Sequence, residues 1–152
     1  MITPSKSRSK RKQDDMGRIV VDVALANHED IVLADAGMLP REKIRRTKVS
    51  GVIDSGATRL VLPPQVVKDL GLRISGETAV RYADQRAAKR KVVPYVQLQL
   101  LGRESVFSAI VEPRRKDALI GAIVMEELDL IVDCNRQRIA PRFADGIMSE
   151  IE

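Results

Sequence analysis

Along most of the chain, apolar residues fall in short runs broken by polar turns, and the runs have the length of strands rather than helices. Arg18–Leu25 and Ile31–Ala34 are two such runs on either side of Ala26–Asp30, which predicts an antiparallel hairpin with His28 in its loop. Glu42–Ser50 alternates charge with Ile44, Thr47 and Val49, as an exposed strand would, and feeds into Gly51-Val52-Ile53. Leu60-Val61-Leu62 predicts a strand stopped by Pro63-Pro64. Gln65–Leu70 predicts a short helix, with Pro64 near its first turn and Gly71 as its stop.

Thr78–Tyr82 and Val92–Leu100 predict two strands joined by a polar hairpin tip, Ala83–Lys91, with Pro94 at an edge or bulge. Ser105–Val111 predicts the next strand, and Ala118-Leu119-Ile120-Gly121 leads into a second short helix, Ala122–Leu128. Leu130–Asp133 and Arg138–Ala140 predict the last two strands. Many short strands with two short helices place the chain in the mainly β class.

Composition narrows this picture. The chain has 152 residues, 44% of them apolar but only 3% aromatic, so one domain with an aliphatic core is expected. The net charge of +5 is matched by Lys6, Arg8, Lys10, Arg11 and Lys12 alone, in a segment with no acidic residue before Asp14. Residues 1–15 therefore read as a disordered basic tail, 16–142 as the folded domain and 143–152 as a C-terminal tail. The tail is the only part suited to nucleic acid, and without interleaved aromatics it offers no stacking surface, so nucleic acid is not expected as a main partner. No apolar run approaches the ~18 residues of a membrane helix. The N-terminal segment lacks the apolar run of a secretory signal. A single cysteine, Cys134, fits a reducing, cytoplasmic setting and reads as a small buried hydrophobe. With the lone His28 it makes no zinc site, and neither metal nor cofactor is expected.

The candidate chemistry lies at Val52-Ile53-Asp54-Ser55-Gly56-Ala57-Thr58. An apolar strand delivers one carboxylate onto a tight turn. Gly56 allows close backbone approach, and Ser55 can hydrogen-bond locally or across an interface. The same residues would also serve as an ordinary polar turn between two strands.

This stretch, taken with Ala118-Leu119-Ile120-Gly121 and the helix after it, resembles the retroviral-type (retropepsin-like) aspartic proteases. The resemblance covers roughly Gly17 to Ala140 and includes a hairpin, Tyr82–Val92, where that family carries its flap. It implies a single-lobe pepsin/retropepsin-like β-barrel assembling as a two-fold homodimer. By the same resemblance Asp54, Ser55 and Gly56 would be catalytic, with one Asp54 from each subunit acting on water. Ala57, Thr58, Arg59, Tyr82, Asp84, Gln85 and Arg86 would bind an extended peptide, and Leu119, Ile120 and Gly121 would support the catalytic turn from beneath.

The chain departs from the family in several places, among them Ala122 after Gly121, where viral members carry Arg. Ser55 replaces the commoner Thr, Gln85 or a neighbour stands in for the usual flap-tip glycine, and Thr58-Arg59 replace residues that are often acidic in viral members. Two other readings stay open: a protease-fold module that binds peptides or dimerises without catalysis, and a β-rich domain whose basic tail binds nucleic acid.

Overall fold

The computed structural model describes residues 18–152. Its elements in chain order are β1 (Ile19–Asn27), α1 (His28–Asp35), a 3-10 turn (Arg41–Lys43), β2 (Arg46–Ile53), β3 (Leu60–Leu62), α2 (Pro64–Asp69), β4 (Gly76–Arg81), β5 (Ala87–Leu100), β6 (Arg103–Val111), β7 (Ala118–Ile120), α3 (Ala122–Glu127), β8 (Leu130–Asp133) and β9 (Arg138–Pro141). The proposed tail at residues 1–15 lies outside the described residues.

Strands pair in the order β1-β2-β7-β3-β6-β5, and β5 returns to β1, so six strands close into a barrel. Closure removes the exposed edges that an open sheet of these strands would present. β4 pairs only with the outer half of β5, from Gly76 opposite Val92 to Arg81 opposite Ala87, so this hairpin extends from the barrel. The barrel is filled by aliphatic side chains. Val23, Leu60, Leu62, Leu70, Val93, Val96, Leu98, Ile120, Val124 and Leu128 are fully buried, and Phe107 is the one aromatic among the buried core residues. Gly51 lies where β1, β2 and β7 come closest: a Cβ there would sit 2.9 Å from Val23 Cγ2 and 3.1 Å from Ile120 Cγ1.

Several expected elements form with small shifts. Pro64 opens α2, and Gly71 ends it at φ +60, with its N–H donating to Lys68 O (3.0 Å) and the Leu72 N–H to Val67 O (3.0 Å). This paired closure satisfies carbonyls the helix leaves free. The register of β5 against β6 slips between Val93 and Val96, at Pro94 and the left-handed Tyr95. β5 starts at Ala87 rather than Val92, so the hairpin tip is shorter than the polar residues alone suggest.

The N-terminal hairpin is corrected. β1 pairs with β2 and β5, and His28–Asp35 is a third helix beyond the two expected. The cause is local. The Asn27 side chain caps the helix by accepting from Asp30 N (3.1 Å), and Glu29 and Asp30 place negative charge at its first turn. These terms outweigh the strand preference of Ile31 and Val32. His28 therefore begins a helix instead of lying in a loop, and its Nδ1 shares a hydrogen bond with Gln97 Oε1 (2.9 Å). Cys134 is also corrected: it lies exposed in the β8–β9 turn.

Asn27 and Asp30 tie α1 to the rest of the molecule. Asn27 Nδ2 donates to Leu70 O (2.8 Å). Buried Asp30 accepts from the N–H, Nε and Nη2 of Arg45 at 3.0, 2.9 and 3.0 Å. Asp129 accepts from Arg142 Nε (2.6 Å) and Met148 N (3.0 Å), which fastens the C-terminal segment.

Hydrogen bonding from Arg45 holds the Asp30 carboxyl below its usual range. A carboxyl lowered on folding contributes stability above its unfolded pKa, near 4, and loses it as pH falls through the folded value. Asp30→Asn is expected to lower stability by about 1–3 kcal/mol at neutral pH. Urea midpoints should show the gap to wild type narrowing below about pH 4. A gap that keeps its size in acid would contradict the assignment.

Candidate active site

The turn between β2 and β3 presents Asp54 and Ser55 to solvent. It is shaped almost wholly by backbone hydrogen bonds. Asp54 N donates to Ile120 O (3.0 Å), and Ala57 N to Asp54 O (3.1 Å). Ala122 N then donates to Ala57 O (2.8 Å), and Ile123 N to Thr58 O (2.9 Å). β7 also lies between the two strands that flank the turn, parallel to β2 and antiparallel to β3. The segment Ile120–Ile123 therefore holds the turn from below. The carboxylate is aimed by one further bond, from Gly56 N to Asp54 Oδ1 (2.9 Å).

Gly121 makes the clamp possible. A Cβ on it would sit 2.7 Å from both Arg59 N and Thr58 C, both of them backbone atoms. Gly56 is tight for a different reason: a Cβ there would lie 3.2 Å from Asp54 Oδ1 and crowd the carboxylate.

Beside the turn is an open cleft of about 660 Å³. Gly56, Ala57, Thr58 and Arg59 form one wall, the β4–β5 hairpin with Tyr82 and Arg86 another, and Leu119 part of the floor. Of the other residues singled out from sequence, Asp54 and Ser55 stand next to this lining without being part of it. Asp84 and Gln85 lie at the hairpin tip, and Ile120 and Gly121 sit beneath the turn.

The hairpin tip is ordered by its own backbone and by the Asp84 side chain. Tyr82 N donates to Arg86 O (2.9 Å), and Gln85 N to Tyr82 O (2.9 Å). Asp84 accepts from Arg86 N (3.0 Å) and Arg86 Nε (2.6 Å). Gln85 adopts φ +72, the left-handed conformation that favours glycine. The tip thus takes a glycine-like turn with Gln85 in that place.

Sequence reasoning missed Glu112. It accepts from the Tyr82 hydroxyl (2.6 Å) and from Arg90 Nε (3.1 Å), which joins the hairpin to the end of β6. The Tyr82 ring lies near two guanidiniums, Arg86 at 5.2 Å and Arg90 at 5.8 Å from its centroid. The bond to Glu112, together with burial and the nearby negative charge, raises the Tyr82 phenol above its usual value. A signal was available, since Glu112 is the only acidic residue between Glu104 and Asp117.

A family model described as "Aspartyl protease" matches residues 43–124, more than half of the chain and the stretch from the 3-10 turn into α3. The chain belongs to the aspartyl protease family. Among solved structures, it is similar to the EIAV protease complexed with the inhibitor HBY-793, with a TM-score of 0.53 at 16% identity, over 73% of this chain and 88% of that one. This likeness supports the retroviral-protease fold. The foamy viral protease–reverse transcriptase in complex with an RNA/DNA hybrid matches with a TM-score of 0.43 at 19% identity, over 52% of this chain and 10% of that one. No curated protein matches the chain. Among the described residues no helix is long and apolar enough to cross a membrane, and no group of three or more His, Cys, Asp or Glu is placed to hold a metal ion.

The clamp beneath this aspartyl protease turn can be tested at Gly121. Gly121→Ala is expected to cost about 1–3 kcal/mol by forcing backbone apart. Gly76→Ala, where a Cβ would meet nothing within 4 Å, should stay within about 0.5 kcal/mol of wild type. Equal melting temperatures for the two variants would contradict the clamp.

Proposed function

We propose that this aspartyl protease is an endopeptidase that hydrolyses extended polypeptides as a two-fold homodimer, with the two Asp54 side chains meeting on the axis. The observation that carries this reading is the exposed Asp54 carboxylate, fixed by a backbone-clamped turn beside a cleft that a projecting hairpin encloses. One chain supplies one such turn, so a matching second copy is the simplest source of the second carboxylate.

Two carboxylates in contact share one proton. The ionised one takes a proton from water as the water oxygen attacks the scissile carbonyl, while the protonated one donates to the carbonyl oxygen. Collapse of the tetrahedral species then releases a carboxyl terminus and an amine, the amine taking up a proton as it leaves. Ser55 would bond across the axis and lock the paired turns, and Gly56 would hydrogen-bond the substrate backbone. The β4–β5 hairpin, steadied by Tyr82 and Glu112, would close over the peptide and exclude water. The left-handed Gln85 favours this reading over a non-catalytic module, because the tip forms a tight turn without glycine. A reducing, cytoplasmic setting suits the exposed, unpaired Cys134.

Asp54→Asn should lower kcat/KM for peptide hydrolysis by at least about a thousandfold, with circular dichroism and dimer mass unchanged. An Asp54→Asn protein that still cuts would refute the proposal.

A further inference from the structure

Six arginines line the cleft beside Asp54: Arg59, Arg81, Arg86, Arg90, Arg114 and Arg115. They come from three separate segments, the end of the catalytic turn, the β4–β5 hairpin and the loop after β6. One carboxylate, Glu112, lines the cleft with them, and it is already engaged by Arg90 and Tyr82. Just outside the lining, Asp84 pairs with Arg86 and Asp117 with Arg115, each at 2.6 Å. Among the described residues, Arg59, Arg81 and Arg114 form no ion pair. The concentration is local, because beyond the basic segment Lys6–Lys12 the chain carries as many acidic as basic residues.

We infer that the cleft selects polypeptides with Asp or Glu side chains flanking the residues at the catalytic turn. The inference rests on the peptidase reading only for calling such a peptide a substrate. A guanidinium holds a carboxylate through two parallel, charge-assisted hydrogen bonds, so three free guanidiniums around one groove favour acidic side chains. The same field repels lysine and arginine, which adds rejection to attraction. Nucleic acid, the other polyanion to consider, would need a face for base stacking. Tyr82 is the only aromatic lining the cleft, and Arg86 and Arg90 already approach its ring.

The test uses one extended decapeptide in three versions, with two Glu, two Gln or two Lys flanking a central aliphatic pair. Cleavage is measured on the full-length protein, and fluorescence anisotropy on its Asp54→Asn form with the same labelled peptides and with a labelled ten-residue oligo-dT. The Glu peptide should exceed the Lys peptide by about tenfold or more in kcat/KM and in affinity, with Gln between. The preference should shrink as pH falls through about 4 and the peptide carboxylates protonate. The double variant Arg81→Glu/Arg114→Glu should invert the order while the basic segment Lys6–Lys12 keeps its charge. Equal rates for the three peptides, an order the double variant leaves in place, tighter binding of oligo-dT than of the Glu peptide, or neither cleavage nor binding of the Glu peptide would each overturn the inference. Cleavage without preference would leave the peptidase standing and remove the charge selection. Charge-ordered binding without any cleavage would do the reverse.

Discussion

The structure depends on a backbone clamp. Three residues, Ile120, Ala122 and Ile123, hold the Asp54 turn through main-chain hydrogen bonds to Asp54, Ala57 and Thr58. Bonds of this kind are insensitive to which side chains occupy the turn, provided a glycine stands where the two backbones touch. Gly121 meets that need. A carboxylate held this way keeps its backbone position without help from flexible side chains, which is the pre-organisation that the proposed acid–base chemistry requires.

The barrel explains how distant parts of the sequence reach the clamp. β7 is only three residues long, yet it lies between β2 and β3 and brings Leu119 and Ile120 against strands that lie far earlier in the chain. The hairpin is built on the same frame. β5 belongs to the barrel at one end and to the projecting hairpin at the other, with the slip at Pro94 and Tyr95 between the two roles. Glu112, at the end of β6, then ties the hairpin base back through Tyr82 and Arg90. Turn, cleft and hairpin are thus built on one sheet.

Much of this was legible in the sequence because it rests on local signals. Asp54-Ser55-Gly56 between apolar runs, Pro64 and Gly71 around α2, and Pro94 in a long strand each carry their own conformational preference. The aliphatic core followed from composition. What escaped depended on long-range or competing terms. The apolar run Ile31–Ala34 looks like a strand, yet the Asn27 cap and the Asp30–Arg45 bonds make it part of a helix. The role of Glu112 depends on Tyr82, thirty residues earlier. The arginine lining of the cleft was legible only in part: Arg59 and Arg86 stood out beside the turn and hairpin, whereas Arg81, Arg114 and Arg115 join them only because the barrel gathers residues scattered along the chain.

In the proposed homodimer each chain carries half of an active centre. Subunit mixing tests it most directly: wild-type protein is combined with Asp54→Asn protein at fixed total concentration, exchanged to equilibrium and assayed. If each site needs one carboxylate from each partner, mixed dimers are inactive, and an equal mixture should retain about one quarter of the wild-type rate. A rate near one half would mean that each chain works alone, and would contradict the account.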